Sequence, residues 1–118
     1  MSTKTNTYVR VGVMMPFDDI FGDGDETREK LLPYMDTAYD GIKHHDGLCI
    51  VGDGMNGDYA ALGRVLAKSD ECGHLESPVV VEDLPAAEAA TLLGKIAEVA
   101  NVPVDSLRLQ TLVFCHYR

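Results

Sequence analysis

LCIVGDGMNGDYAALGRVLA, residues 48–67, is the stretch whose reading decides the fold. Leu48 to Val51 is short, apolar and rich in β-formers. Asn56-Gly57 follows, the strongest short-range hairpin signal, because both central residues of a type I′ turn take positive φ. Tyr59 to Ala67 then reads as the returning strand. Tyr59, Leu62, Gly63 and Leu66 also fit one face of a helix, but the turn residues and Gly63 weigh against a stable one.

Upstream, Tyr8 to Met15 alternates, with Val9, Val11, Val13 and Met15 on one face, as a half-buried strand requires, and Pro16 ends it. Phe17 to Glu26 is acidic and Gly-rich and reads as an exposed loop. Leu31, Leu32, Met35, Ala38, Tyr39 and Ile42 recur at helical spacing. Pro33 is tolerated only in a first turn, so a continuous helix is expected from Leu32, with 25–30 a turn or kinked first segment. Downstream, Val79 to Val81 suggests a short strand. Asp83 and Pro85 open a helix over 85–100 whose buried face is Ala89, Leu92, Leu93, Ile96 and Val99. Leu107 to Tyr117 reads as a last strand, with Leu107, Leu109, Thr111, Val113 and Cys115 sharing a face.

Two helices separated by a hairpin, with strands at both ends, form the split βαβ pattern of a ferredoxin-like fold. The expected architecture is α+β: a ferredoxin-like two-layer sandwich, its antiparallel sheet carrying both helices on one face and leaving the other open. At 118 residues the chain is expected to be one domain, 1–118, with 1–6 disordered and 17–26 as the acidic loop.

The apolar fraction of 46% is enough for a core. No secretion signal opens the chain and no apolar run approaches the roughly 18 residues of a membrane span, so a soluble, cytoplasmic protein is expected. Three scattered cysteines, Cys49, Cys72 and Cys115, fit reduced thiols better than a disulfide framework. Cys49 and Cys115 lie in apolar sequence and read as small buried hydrophobes.

The net charge of −9 is unevenly held: Asp18 to Asp58 contains eleven acids against three bases. Charge of that sign repels nucleic acid and anionic membrane and attracts basic partners.

Chemical motifs are sparse. Cys49 to Asn56 resembles the magnesium-binding fourth motif of haloacid-dehalogenase-type phosphatases, and Asp23 to Thr27 resembles that family's nucleophile motif. Gly57 stands where the second acid belongs, no long apolar strand presents Asp23, and Asp23 and Asp53 are too close in sequence for the units that family places between them. The acids at 18–26 miss the calcium-loop spacing. Cys72-Gly73-His74, His44-His45 and Cys115-His116 lack zinc-site spacing. His44 and His45 are expected at a helix C-terminus, where cations suit the helix dipole. Neither metal nor cofactor is implied.

The leading expectation is therefore an acidic protein-binding inhibitor that occupies a basic, nucleic-acid-binding site on a partner protein, in the manner of phage inhibitors of restriction or of RNA-guided (CRISPR) defence. It would not contact nucleic acid itself. Its binding residues would be Asp18, Asp19, Asp23, Asp25, Glu26, Glu29, Asp36 and Asp40. The alternatives are a small-ligand or regulatory module, self-associating as a homodimer, and a small hydrolase pairing a carboxylate with His44 or His116.

Overall fold

The computed structural model describes residues 5–22, 25–36, 41–53, 56–70, 72–75 and 77–117. Among these the chain is α+β, with a four-stranded antiparallel sheet and three α-helices. In chain order the elements are β1 (Thr5–Pro16), α1 (Phe17–Phe21), α2 (Asp25–Leu31), β2 (Cys49–Gly52), β3 (Tyr59–Lys68), α3 (Ala86–Ala100) and β4 (Gln110–Tyr117). The strands lie in the order β2-β3-β1-β4, each antiparallel to its neighbour.

Alternation gives the sheet two different faces. Val13 faces Leu62 across β1 and β3, and Leu62 faces Ile50 on β2. These three join Ile20 and Phe21 of α1, Leu31 of α2, and Leu92 and Ile96 of α3 in the main core. The opposite face carries a second cluster of Tyr8, Cys49, Val51 and Val65 with Phe114 against it. The expected open face is therefore closed over these residues, three of them with no exposed surface.

At the centre of the sheet Gly12 pairs with Gly63. A Cβ on Gly12 would overlap the Leu62 carbonyl oxygen, and one on Gly63 would overlap that of Val11. Glycine alone permits that separation. Farther along, Val9 faces Ala67 while Arg10 faces Val65, so Leu66 is an extra residue in β3. This β-bulge inverts the alternation beyond it.

Several expectations are corrected. The segment read as an exposed loop contains α1, which begins after Pro16 and buries Ile20 and Phe21; 23–24 lie outside the described residues. The helix expected from Leu32 is instead α2, seven residues ending at Leu31, followed by a single 3₁₀ turn over Leu32–Tyr34. Pro33 sits within that turn, and Met35 leaves extended to bridge Ile50 beside β2. Positions 37–40 lie outside the described residues, and Ile42 is exposed.

The hairpin joins β2 to β3, but through a six-residue loop, 53–58, and not a two-residue type I′ turn: Gly57 alone of Asn56-Gly57 has positive φ, at 69°. The Asp53 carboxylate accepts the backbone N–H groups of Asn56 and Asp58, and its main chain adds bonds from the Gly57 N–H and to the Tyr59 carbonyl. Val79 to Val81 forms no strand; Val80 is 82% exposed. Of the residues 1–6 expected outside the fold, Thr5 and Asn6 belong to β1, and 1–4 lie outside the described residues. In β4 Thr111, Val113 and Cys115 share a face as expected, opposite Val11, Val9 and Thr7, but that face is open here: Val113 is 66% exposed and Cys115, expected to be buried, is exposed, while Phe114 packs on the second cluster and His116 is buried. Cys49 is buried as its apolar setting suggests.

α3 matches its periodicity. Pro85 precedes it, Leu92, Ile96 and Ala97 are buried, and Asn101 ends it in the left-handed conformation. Among the described residues no helix is long and apolar enough to cross a membrane.

Ile96→Ala should cost about 2–5 kcal/mol in urea unfolding, and half-buried Leu93→Ala less. Gly12→Ala and Gly63→Ala should each destabilise by about 1–3 kcal/mol or more, because the overlap is with backbone and no rotamer relieves it.

Candidate functional site

Two regions carry the polar chemistry, one on the surface and one within the second sheet face.

The surface region is built by α1 and α2. Asp18 and Asp19 occupy the first turn of α1, where acids suit the helix dipole, and both are exposed because Ile20 and Phe21 take the inward positions. Glu26 and Glu29 on α2 are exposed as well. The Phe17 N–H donates to the Asp58 carbonyl, which sets the tip of the hairpin and its exposed acid beside α1. Glu98, near the end of α3, lines a shallow groove with Asp19. Among the described residues the side-chain ion pairs are Arg64–Glu88, Lys68–Asp36 and Lys95–Asp46, none of which uses these acids.

Of the other residues singled out from the sequence, Asp23 and Asp40 lie outside the described residues, and Asp25 begins α2. Asp36 is a correction. It is 3% exposed and belongs to the second region, so it adds nothing to an acidic surface.

In that second region Tyr8 Oη donates to Asp36 Oδ2 at 2.6 Å, and Lys68 Nζ donates to both Asp36 oxygens at 3.0 and 3.3 Å and to the Gly41 carbonyl at 3.0 Å. The Lys68 and Asp36 side chains are each 1% exposed. The bulge at Leu66 is what brings Lys68 opposite Tyr8; strict alternation along β3 would send it to the face of Leu62. No local sequence pattern signals that inversion, so nothing in the sequence pairs a lysine at a strand end with an aspartate after a 3₁₀ turn.

Arg10 lies on the same face with no exposed surface. Its register partner is Val65, whereas Cys49 faces Gly63, so the side chain crosses β3 beside Gly63 to donate from Nη2 to the Cys49 carbonyl. Burial pushes the guanidinium pKa below its ordinary value. Burial likewise raises the Cys49 thiol, against the pull of Arg10.

Both candidate histidines are committed to structural bonds. The Val65 N–H, beyond the end of β2, donates to His44 Nε2 at 3.0 Å. Residues 41–44 are not helical, contrary to the helix-end expectation for His44 and His45; 37–40 lie outside the described residues. His116 Nδ1 shares a 2.7 Å hydrogen bond with Tyr59 Oη. Among the described residues no group of three or more His, Cys, Asp or Glu side chains is arranged to hold a metal.

Comparison with protein-family models, with curated proteins and with solved structures finds no match to this chain.

Asp36→Ala should destabilise by about 3–5 kcal/mol in chemical denaturation, because Lys68 is left buried and unpaired. Asp18→Ala should stay within about 0.5 kcal/mol of the parent. His44 adds a pH dependence. Burial first, then Arg10 and Arg64, hold its pKa below the ordinary 6.5, with Asp36 opposing. The folded state thus binds fewer protons than the unfolded one, so this contribution is complete above about pH 6.5 and is lost as pH falls toward the folded value. Unfolding midpoints measured from pH 8 to pH 5 should show a smaller decline in His44→Gln than in the parent.

Proposed function

We propose that the chain is an acidic protein-binding module that occupies a basic, nucleic-acid-binding site on a partner protein. The observation that carries this reading is the set of exposed carboxylates at Asp18, Asp19, Glu26, Glu29 and Asp58, outside the described ion pairs and set on a scaffold of α1, α2 and the hairpin tip. Basic grooves that take nucleic acid are lined by lysines and arginines that meet phosphates, and carboxylates on a rigid scaffold present the same sign of charge to them. The resulting action is competitive inhibition, as with phage proteins that block restriction or CRISPR complexes. The scaffold we assign is ferredoxin-like, a reading supported by the antiparallel order β2-β3-β1-β4 and by helical connections between β1 and β2 and between β3 and β4.

A second reading, a small-ligand-binding or regulatory module, is favoured by one separate observation, the buried guanidinium of Arg10. The hydrolase reading gains no support, since His44 Nε2 and His116 Nδ1 are occupied within the fold.

The test combines charge reversal with salt. Proteins captured by the parent should release as ionic strength rises and should be displaced by added DNA or RNA, because exposed charges are screened beyond about 8 Å at physiological salt. The variant with Asp18, Asp19, Glu26 and Glu29 all changed to Lys should capture none of them while keeping nearly its parent's melting temperature. Capture by the variant equal to the parent's, insensitive to salt and nucleic acid, overturns the reading.

A further inference from the structure

Among the described residues, two buried cationic side chains, Arg10 and Lys68, share the second sheet face with one carboxylate, Asp36. Arg10 and Lys68 both approach the Tyr8 ring, 5.9 and 5.6 Å from its centroid, and the one described carboxylate beside them, Asp36, is engaged by Tyr8 and by Lys68. His44 is an acceptor through Nε2 and therefore a neutral imidazole on that bond, and burial favours the uncharged Cys49 thiol. Arginine cannot shed its proton in compensation. Of the three guanidinium nitrogens, Nη2 donates to the Cys49 carbonyl, while Nε and Nη1 are fully buried with no hydrogen-bond partner among the described residues. Buried donors of this kind are almost always satisfied, and an unpaired buried cation is among the costliest features a fold can keep.

We propose that this face binds a small oxyanion, a carboxylate or a phosphate, held by Arg10 through Nε and Nη1. Such a ligand supplies acceptors for both donors and sets a negative charge beside the guanidinium, whereas a water molecule brings no charge. The backbone leaves room for the guanidinium because Gly12 and Gly63, side by side on β1 and β3, carry no side chain. A cavity of about 410 Å³ lined by Gly41, Ile42, Lys68, Ser69, Asp70 and His74 lies at the Lys68 end of β3. Lys68 is engaged with Asp36 and Gly41, so selectivity for the anion rests on Arg10. The site is separate from the acidic surface of α1 and α2 and does not depend on its role.

The intact chain, dialysed into Tris chloride, is titrated in separate arms with sodium phosphate and with sodium acetate at constant ionic strength. Two signals are followed, the melting temperature and the NMR resonance of the Arg10 Nε–H. Expected is a saturable rise in melting temperature with a matching shift of that resonance, both lost in Arg10→Met. A response to acetate alone assigns a carboxylate ligand, to phosphate alone a phosphate, and to both an oxyanion site without further selection. A melting temperature that climbs without saturation, equally in parent and Arg10→Met, with an unmoved Arg10 Nε–H resonance, overturns the proposal. If Arg10→Met does not fold, the parent's own resonance decides: a saturable shift supports the site and none overturns it.

Discussion

The close approach of β1 and β3 at Gly12 and Gly63 is the constraint on which the rest of this structure depends. Strands separated by so little tolerate no side chain between them, and that leaves a bare lane in the middle of an otherwise filled face. Arg10 uses the lane to reach across β3 to β2. On the other face, the flanking residues Val13 and Leu62 are brought together over the same two strands and seat α3 through Leu92 and Ile96. One backbone contact thus serves the apolar core and the polar face.

The bulge at Leu66 is the second organising feature, and its effect is electrostatic. It turns Lys68 to the side of Tyr8 and Arg10, where Asp36 meets it. Asp36 also donates its backbone N–H to the Ile50 carbonyl, so the segment leaving the 3₁₀ turn is joined to β2 by main chain and to β1 and β3 by its carboxylate. Ion pairs buried this deeply add little net stability compared with apolar packing, but they discriminate strongly against any arrangement that separates the partners. The path of the chain from α2 to β2 is held by that discrimination. A surface pair, Lys95 with Asp46 at 2.6 Å, ties the following turn to α3. Its hydrogen bond pushes the Lys95 pKa up to about 12 and holds the Asp46 carboxyl below its usual range.

What could be read from the sequence was set by local pattern. The alternation of Tyr8 to Met15, the apolar stripe of α3 and the strand–turn–strand over 48–67 each follow from neighbours in the chain, and each was legible. The helix expected over 32–42 failed because an apolar stripe says which residues cluster but not whether the backbone continues, and here a 3₁₀ turn containing Pro33 closes α2. Val79 to Val81 has strand-forming residues, yet it pairs with none of the described strands. In β4 the shared face of Thr111, Val113 and Cys115 was legible, but not which face is covered: the second half packs Phe114, and not Val113, because the second face has its own cluster. Of the acids singled out, Asp18, Asp19, Glu26 and Glu29 are exposed, whereas Asp36 was indistinguishable from them in sequence because its partners lie 28 and 32 positions away.

The two edges of the sheet are unlike. β2 is flanked by the extended residues Met35 and Asp36, through the Met35 bridge to Ile50 and the bond from the Asp36 N–H. β4 has no strand beyond it among the described residues, and it shows Thr111, Val113 and Cys115 to solvent. An unpaired strand is a template for another chain, and a sheet open on both sides can be extended without limit. A sheet open on one side cannot. Two copies joined antiparallel along β4 would each use up their open edge, leaving a closed, two-fold pair whose outer rims are already flanked, so edge-to-edge growth stops at two.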